Sequence, residues 1–344
     1  RDPATVGHRW RDGLLLGVWG GLLLLARPEG VLAAAAAGAY GLLCRGKLAE
    51  KLRWGTLAAL GLALLLAPFF ALNVATSGTL WPNTFYAKQT EYAVLWTLPY
   101  WRRLLDQAAV TFVGAQALLI PALLVDVWQG VRRRDWLHLL PLVWVVLHWA
   151  LYAARLPVTY QHGRYAMPVI GVLVAYGVRG MVNIVRLLPP RRLLWAAGRA
   201  WVLSVAALLV AFVSVLGAPA YARDVAFVEE EMVAAARWVA QHSDPQAVVA
   251  AHDIGALGYF APRPLVDLAG LVSPDVLPYM HSAEALDGYI RASEVQILVV
   301  FPHWSASYAD LVARPSYHRL WSVDEQPGYS GTSALGPMTV YEVR

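Results

Sequence analysis

Long apolar runs alternate with short basic segments over the first two thirds of the chain. Runs close to the about 20 residues that a bilayer requires lie at 53–72, 107–128, 137–154, 165–185 and 193–216. A longer apolar stretch, 10–44, is interrupted by Arg27-Pro28-Glu29-Gly30. Proline is tolerated in a first helical turn but breaks a helix interior. The pattern therefore predicts two helices, 10–26 and 28–44, meeting at that tetrapeptide. One kinked helix is the alternative.

Near residue 218 the periodicity changes. Residues 224–242 read as an amphipathic helix and 247–251 as a buried strand. A Gly-containing turn and a short helix at 254–260 follow. Further strands are expected at 264–268 and 296–301, a helix at 307–313, and extended segments at 317–323 and 338–343. Strands alternating with helices predict a small α/β domain. The expected fold is an α-helical polytopic membrane bundle of about seven membrane segments, residues 1–217, followed by a small α/β soluble domain, residues 218–344.

Charge divides the chain at the same place. Residues 1–217 carry 21 Lys and Arg against 8 Asp and Glu; residues 218–344 carry 7 against 15. The net charges of +13 and −8 give the total of +5. Of all 344 residues, 58% are hydrophobic and 15% charged, too few charges for a wholly water-soluble chain. The basic residues sit between apolar runs and form no basic face, so nucleic acid is not an expected partner. With a hairpin at Arg27–Gly30, three basic loops fall on one side, together with Arg1, Arg9 and Arg11. These loops hold Arg45, Lys47, Lys51 and Arg53; Arg132, Arg133 and Arg134; and Arg186, Arg191 and Arg192. The positive-inside bias makes that side the cytoplasm. The opposite side receives the tetrapeptide turn, loops 73–106 and 155–164, and the C-terminal domain. The expected location is thus the cytoplasmic (inner) membrane, multi-pass, with an extracytoplasmic C-terminal domain. Cys44 is the one cysteine; it excludes an internal disulfide and reads as a small buried apolar residue. The natural N-terminus is expected upstream of Arg1.

Four segments carry candidate chemistry. Arg27 and Glu29 place opposite charges at a break between membrane helices, where charge is costly; mutual neutralisation is the plainer reading. Loop 73–106 is rich in Trp and Tyr and reads as an interfacial segment along the outer leaflet. Within it, Asn83 offers an amide and Lys88 a cation for a lipid phosphate; simple headgroup anchoring is the alternative. In Gln161-His162-Gly163-Arg164-Tyr165, Arg164 beside helix amides suits an anion, unless it only snorkels to the interface. Asp253 and Asp267 follow strands; they set turns or face substrate. His252-Asp253 lacks the further ligands of a metal-dependent phosphohydrolase, and Gly255-Ala256-Leu257-Gly258 lacks the full dinucleotide-binding glycine pattern. No Walker, HExxH or GxSxG motif occurs in the sequence.

Taken in order, LARPEG (25–30), PNTFYAK (82–88), GRYAMP (163–168) and DIGALGYF…LVDLAGLVSP (253–274) resemble bacterial GT-C membrane glycosyltransferases. The type is dolichyl-phosphate-mannose-mannosyltransferase-like and arabinofuranosyltransferase-like, and the resemblance covers most of the chain. It implies an inverting enzyme that moves sugar from a polyprenyl-phosphate donor to a glycan, lipid or protein acceptor outside the cytoplasmic membrane. Arg27, Glu29, Asn83, Lys88, His162, Arg164 and Tyr165 are then donor-phosphate or headgroup residues, and Asp253 and Asp267 acceptor-side residues. The family's base is an acid after its first span. No acidic loop precedes residue 10 here, and Glu29, Glu91 and Asp106 are the outward acids of 1–217. The base is therefore expected in a missing N-terminal segment, which would leave this fragment inactive. No cofactor is expected, with a divalent metal left open. Two other classes compete. A flippase or transporter of lipid-linked saccharides predicts half-repeats and mid-span charges. A non-catalytic membrane-anchored assembly or sensor protein needs none of the four aligned segments.

Overall fold

The computed structural model describes residues 10–44, 46–160, 162–189, 191–326, 329 and 335–344. Arg1, Arg9, Arg45 and Gln161, invoked above, lie outside them. The molecule is mostly helical, with a small mixed sheet near its C-terminus. It divides into two compact units. One holds the chain up to Trp81 and Tyr92–Val213; the other holds Pro82–Glu91 and Ser214–Arg344.

The first unit opens with α1 (Trp10–Ala26), a short 3-10 turn (Pro28–Gly30) and α2 (Val31–Leu43). Proline at the start of that turn and the extended backbone of Arg27 (φ −153°) end α1. The two helices fold back on each other. A Cβ on Gly20 would meet Ala34, and one on Gly38 would meet Leu16, an antiparallel ladder. The break is thus a hairpin rather than a kink. Helix α3 (Leu48–Ser77) runs parallel to α1, because Gly13, Gly17 and Gly21 face Trp54, Ala58 and Leu65 in rising order. This stripe of small residues lets two backbones approach closely.

After α4 (Asn83–Glu91), which belongs to the second unit, come α5 (Tyr100–Val110), α6 (Ile120–Arg133), α7 (Trp136–Arg155), α8 (Met167–Leu187) and α9 (Arg192–Ala211). Among the described residues, five helical stretches are long and apolar enough to cross a membrane. They are Leu48–Ser77, Gly114–Arg133, Trp136–Arg155, Met167–Leu187 and Arg192–His242. The hairpin helices have 17 and 13 residues, short of the about 20 a bilayer requires, because the tetrapeptide divides the run.

Between α6, α7 and α8 lies a polar knot that the sequence reading passed over. Asp126 is buried, and its Oδ2 lies 2.7 Å from His138 Nε2. Arg179 Nη1 donates to His138 Nδ1 at 2.7 Å, and its Nε stands 3.5 Å from Asp126 Oδ1. Since Nδ1 accepts, Nε2 carries the proton that faces Asp126. Tyr176 stacks on the imidazole and donates its hydroxyl to the His138 carbonyl. Removing Asp126 leaves the largely buried His138 Nε2–H without its acceptor, at a cost of about 1–3 kcal/mol, while Arg179 is half-exposed and keeps solvent. Asp126→Ala should therefore lower the unfolding midpoint of the detergent-solubilised protein far more than Asp106→Ala at an exposed pair. Equal midpoints for the two variants would show that the knot does not hold α6–α8 together.

From α9 the chain stays helical into the second unit, through α10 (Ala218–Phe227) and α11 (Ala234–His242), with π-turns at Phe212–Gly217 and Val228–Val233. The expected boundary at 217/218 thus falls within a continuous helix, and the compact units part at 213/214. There follow β1 (Val249–Ala251), α12 (Ile254–Phe260), β2 (Leu265–Asp267), α13 (Ala283–Ala292), β3 (Ile297–Val300), α14 (Ala306–Val312), β4 (Tyr317–Ser322) and β5 (Thr339–Val343). The sheet order is β2-β1-β3-β5-β4. β1 pairs in parallel with β2 and β3, while β5 is antiparallel to β3 and β4. Alternation splits the core. Val249, Ala251 and Val299 pack with Val239 of α11 and Leu257 of α12. Ala250, Leu298 and Val300 pack with Leu286 and Ile290 of α13 and Leu311 of α14. Buried Glu231 ties the second π-turn to the last strand, accepting from the Tyr329 hydroxyl (2.5 Å) and the Met338 amide (2.8 Å).

Candidate functional site

The first unit gathers the hairpin turn against α7. Arg27 leaves α1 with its amide on the Leu23 carbonyl (2.9 Å), and its own carbonyl accepts from Gly30 (2.8 Å). A Cβ on Gly30 would stand 2.5 Å from the Leu23 carbonyl oxygen, so the turn takes no side chain there. This fold-back buries Glu29 and brings its Oε1 to 2.9 Å from Arg27 Nε. The Arg27 side chain keeps 45% of its surface exposed while Glu29 keeps 7%. The contact is an ion pair by distance, Glu29 Oε1 having no hydrogen-bond partner among the described residues, and the guanidinium's other face is open.

Helix α2 packs on α7, and α7 supplies the wall behind Glu29. Tyr152 stands close to the Glu29 carboxylate. One turn earlier, His148 lies against Tyr152 with ring centroids 4.7 Å apart. His148 Nε2 faces the Tyr165 carbonyl at 2.8 Å. A carbonyl only accepts, so Nε2 carries the proton. Nδ1 is buried without a hydrogen-bond partner among the described residues. Tyr165 packs on Tyr152 at 5.3 Å. The Arg164 guanidinium donates to the Tyr165 hydroxyl at 2.9 Å and lies over that ring.

Arg27, Glu29, Arg164 and Tyr165 are therefore joined through Tyr152 within one unit. His162 precedes them in a left-handed backbone (φ +56°), next to Gly163 (φ +63°). That conformation is uncommon for a residue with a Cβ and turns the chain sharply before α8. The arrangement offers two exposed cations and a buried carboxylate on an aromatic floor, which suits a phosphate-bearing ligand with an apolar tail.

The remaining residues lie elsewhere. Asn83 and Lys88 stand on α4, in the second unit with Asp253 and Asp267. Asp106 pairs with Arg102 at 3.1 Å. Asp267 is fully buried. Its two oxygens accept from the amides of Ala269 (2.9 Å) and Val272 (2.8 Å), and Gly270 completes the turn at φ +74°. Both oxygens are thereby occupied by the loop after β2. Asp253 follows β1, its Oδ2 buried and 3.5 Å from His252 Nδ1. Among the described residues no group of three or more His, Cys, Asp or Glu is arranged to hold a metal ion. A separate groove of about 400 Å³ at the start of α9 is lined by Arg191, Arg192, Trp195, Ala196 and Arg199, and contains none of the candidate residues.

His148 and Tyr152 escaped the sequence reading. A histidine within an apolar span, followed four residues later by tyrosine, was the available signal. Among curated proteins and solved structures nothing matches the chain. Residues 220–341 match a family model described as a domain of unknown function (DUF8728).

Proposed function

We propose that the protein is a GT-C-type integral membrane glycosyltransferase that takes sugar from a polyprenyl-phosphate donor. One observation carries this reading: the open guanidinium of Arg27, held by a buried carboxylate at a break between membrane helices. A charge pair there costs stability and is retained for a task. The task in a lipid-linked-sugar enzyme is to neutralise the phosphate that leaves as the glycosidic bond breaks. Arg164 adds a second cation beside Tyr165, and the apolar helices offer a surface to the prenyl tail.

In this reading the hairpin helices count with the five long stretches as seven membrane segments in the cytoplasmic membrane. The basic loops face inward and the α/β domain lies outside. The acceptor is a glycan, lipid or protein, and the transfer inverts the anomeric centre. No residue of the chain is assigned as the base that takes the acceptor's proton.

The test is binding of polyprenyl-phosphate mannose and polyprenyl-phosphate arabinofuranose to the protein in lipid nanodiscs, with the unglycosylated polyprenyl phosphate as comparison. Saturable binding of a sugar-bearing donor, competed by polyprenyl phosphate, supports the reading. Absence of binding to both donors overturns it.

A further inference from the structure

The parallel part of the sheet has a reversal point. From β1 the chain passes to β2 on one side, then returns over the sheet to β3 on the other. In open α/β sheets ligands bind outside the carboxyl ends of the strands at such a point. His252 and Asp253 stand immediately after β1, and Trp304 stands shortly after β3. The His252 ring lies on Trp304 with centroids 4.2 Å apart, so the two strand ends meet there. Glu91, the last residue of α4 and part of the same unit, reaches in from outside the sheet, its Oε1 3.9 Å from His252 Nε2.

The polar atoms at this point are buried and unsatisfied. The His252 side chain is 9% exposed, and neither ring nitrogen has a hydrogen-bond partner among the described residues. The carboxylates at 3.5 and 3.9 Å stand beyond bonding geometry. Asp253 Oδ2 and the Tyr308 hydroxyl are likewise buried without partners, and the Tyr308 ring is edge-on to His252 at 6.1 Å. Buried polar groups are almost always paired, so four orphaned atoms at one strand end call for an explanation. Burial pushes the Tyr308 phenol up, and the charges of Asp253, Asp267 and Glu91 push it further, so its hydroxyl stays a donor.

We propose that this crevice binds a neutral saccharide through a pair of vicinal hydroxyls, with Asp253, His252 and Tyr308 as the direct partners and Trp304 as the residue that positions the imidazole. The orphaned atoms are mixed in kind. Asp253 Oδ2 accepts only, the Tyr308 hydroxyl donates or accepts, and the imidazole presents at least one N–H donor. A simple cation would satisfy the acceptors and strand the donors. An anion would meet two carboxylates. Hydroxyl groups satisfy both kinds at once. That this saccharide is the acceptor rests on the glycosyltransferase reading; that it binds does not.

The experiment probes the full chain in nanodiscs on an array of neutral, amino-substituted and sulfated oligosaccharides. Tyr308→Phe removes one buried oxygen and Asp253→Asn one charge, so each should keep its unfolding midpoint. Glu284→Gln, an exposed change on α13, serves as control. The expected result is binding to neutral oligosaccharides that falls at least tenfold in both site variants and is unchanged in the control. No binding to the array, binding confined to amino or sulfated glycans, or binding by Tyr308→Phe and Asp253→Asn that equals the parent's would each overturn the proposal. Donor binding measured on the same preparations separates the two readings. A chain that holds neutral sugars but no polyprenyl-phosphate donor keeps this crevice and loses the transferase.

Discussion

Arg27→Ala should weaken binding of a polyprenyl-phosphate sugar by about 10- to 100-fold, the range for loss of a charge-assisted hydrogen bond. The guanidinium is half-exposed with the buried Glu29 carboxylate 2.9 Å behind it, so its charge is held at the turn before a ligand arrives. The alanine variant also leaves Glu29 buried and unpaired, and that alone destabilises the hairpin. Two companions separate the effects. Arg27→Lys keeps the charge but loses the planar fork that can hold Glu29 and a phosphate together, so an intermediate loss is expected. Arg27→Ala with Glu29→Gln removes both charges and should restore the unfolding midpoint without restoring donor binding. Titration of the four proteins with polyprenyl-phosphate mannose, read beside their unfolding midpoints, decides the matter. Donor affinity that follows the midpoint across the series would mark Arg27 and Glu29 as a structural pair.

Much of the architecture was legible because it rests on local signals. The tetrapeptide Arg27–Gly30 divides its apolar run, since proline and an extended residue end one helix and start another. The strands were readable as short apolar segments between turns, and each falls within about a residue or two of its observed ends. Helix α13 went unread although Ser282 caps it, accepting from the Ala285 amide at 3.3 Å. Its apolar side is short, Ala283, Leu286, Tyr289 and Ile290, and their burial comes from the sheet. Helix α4 shows the opposite difficulty. Its Trp, Phe and Tyr neighbours fit a lipid interface by composition, yet the helix groups with the α/β domain, and Glu91 meets His252 161 positions further along the chain. No local pattern encodes such a meeting. The same holds for Tyr152 behind Glu29, and for Asp126, His138 and Arg179, which three different helices bring together. Arg27, Glu29, Arg164 and Tyr165 were singled out individually, but only the packing of α2 on α7 explains why they share a floor. Lys88, expected beside them, stands in the other unit.

The largest loss of folded protein is expected from Gly17→Val. A Cβ at Gly17 would lie 1.9 Å from the carbonyl oxygen of Ala58 and 2.8 Å from the Leu62 amide nitrogen. Both are backbone atoms of α3, so no side chain can rotate away and the helices must separate. A Cβ on Gly13 would stand 2.4 Å from the Trp54 carbonyl oxygen and one on Gly61 2.6 Å from that of Leu14, so the seam has little slack along about three turns. Separation costs dispersion contacts, and in lipid no hydrophobic gain between helices offsets that loss. Gly38 provides the contrast. Its nearest neighbour would be a Leu16 methyl at 3.8 Å, an ordinary contact, so Gly38→Ala should stabilise by up to about 1 kcal/mol through helix propensity. The Gly17 variant should give no monodisperse peak in size-exclusion chromatography, while the Gly38 variant elutes as the parent does. Gly17→Ala, with the smallest added group, is the informative intermediate. It forces α1 outward, and α1 ends at Arg27, whose guanidinium must hold its line to Glu29. If that variant remains folded, its donor affinity should fall with the shift in α1, although no atom near the ligand has changed. A Gly17→Val protein with the parent's midpoint would show that α1 and α3 do not pack through this face, and the position assigned to Arg27 would fall with it.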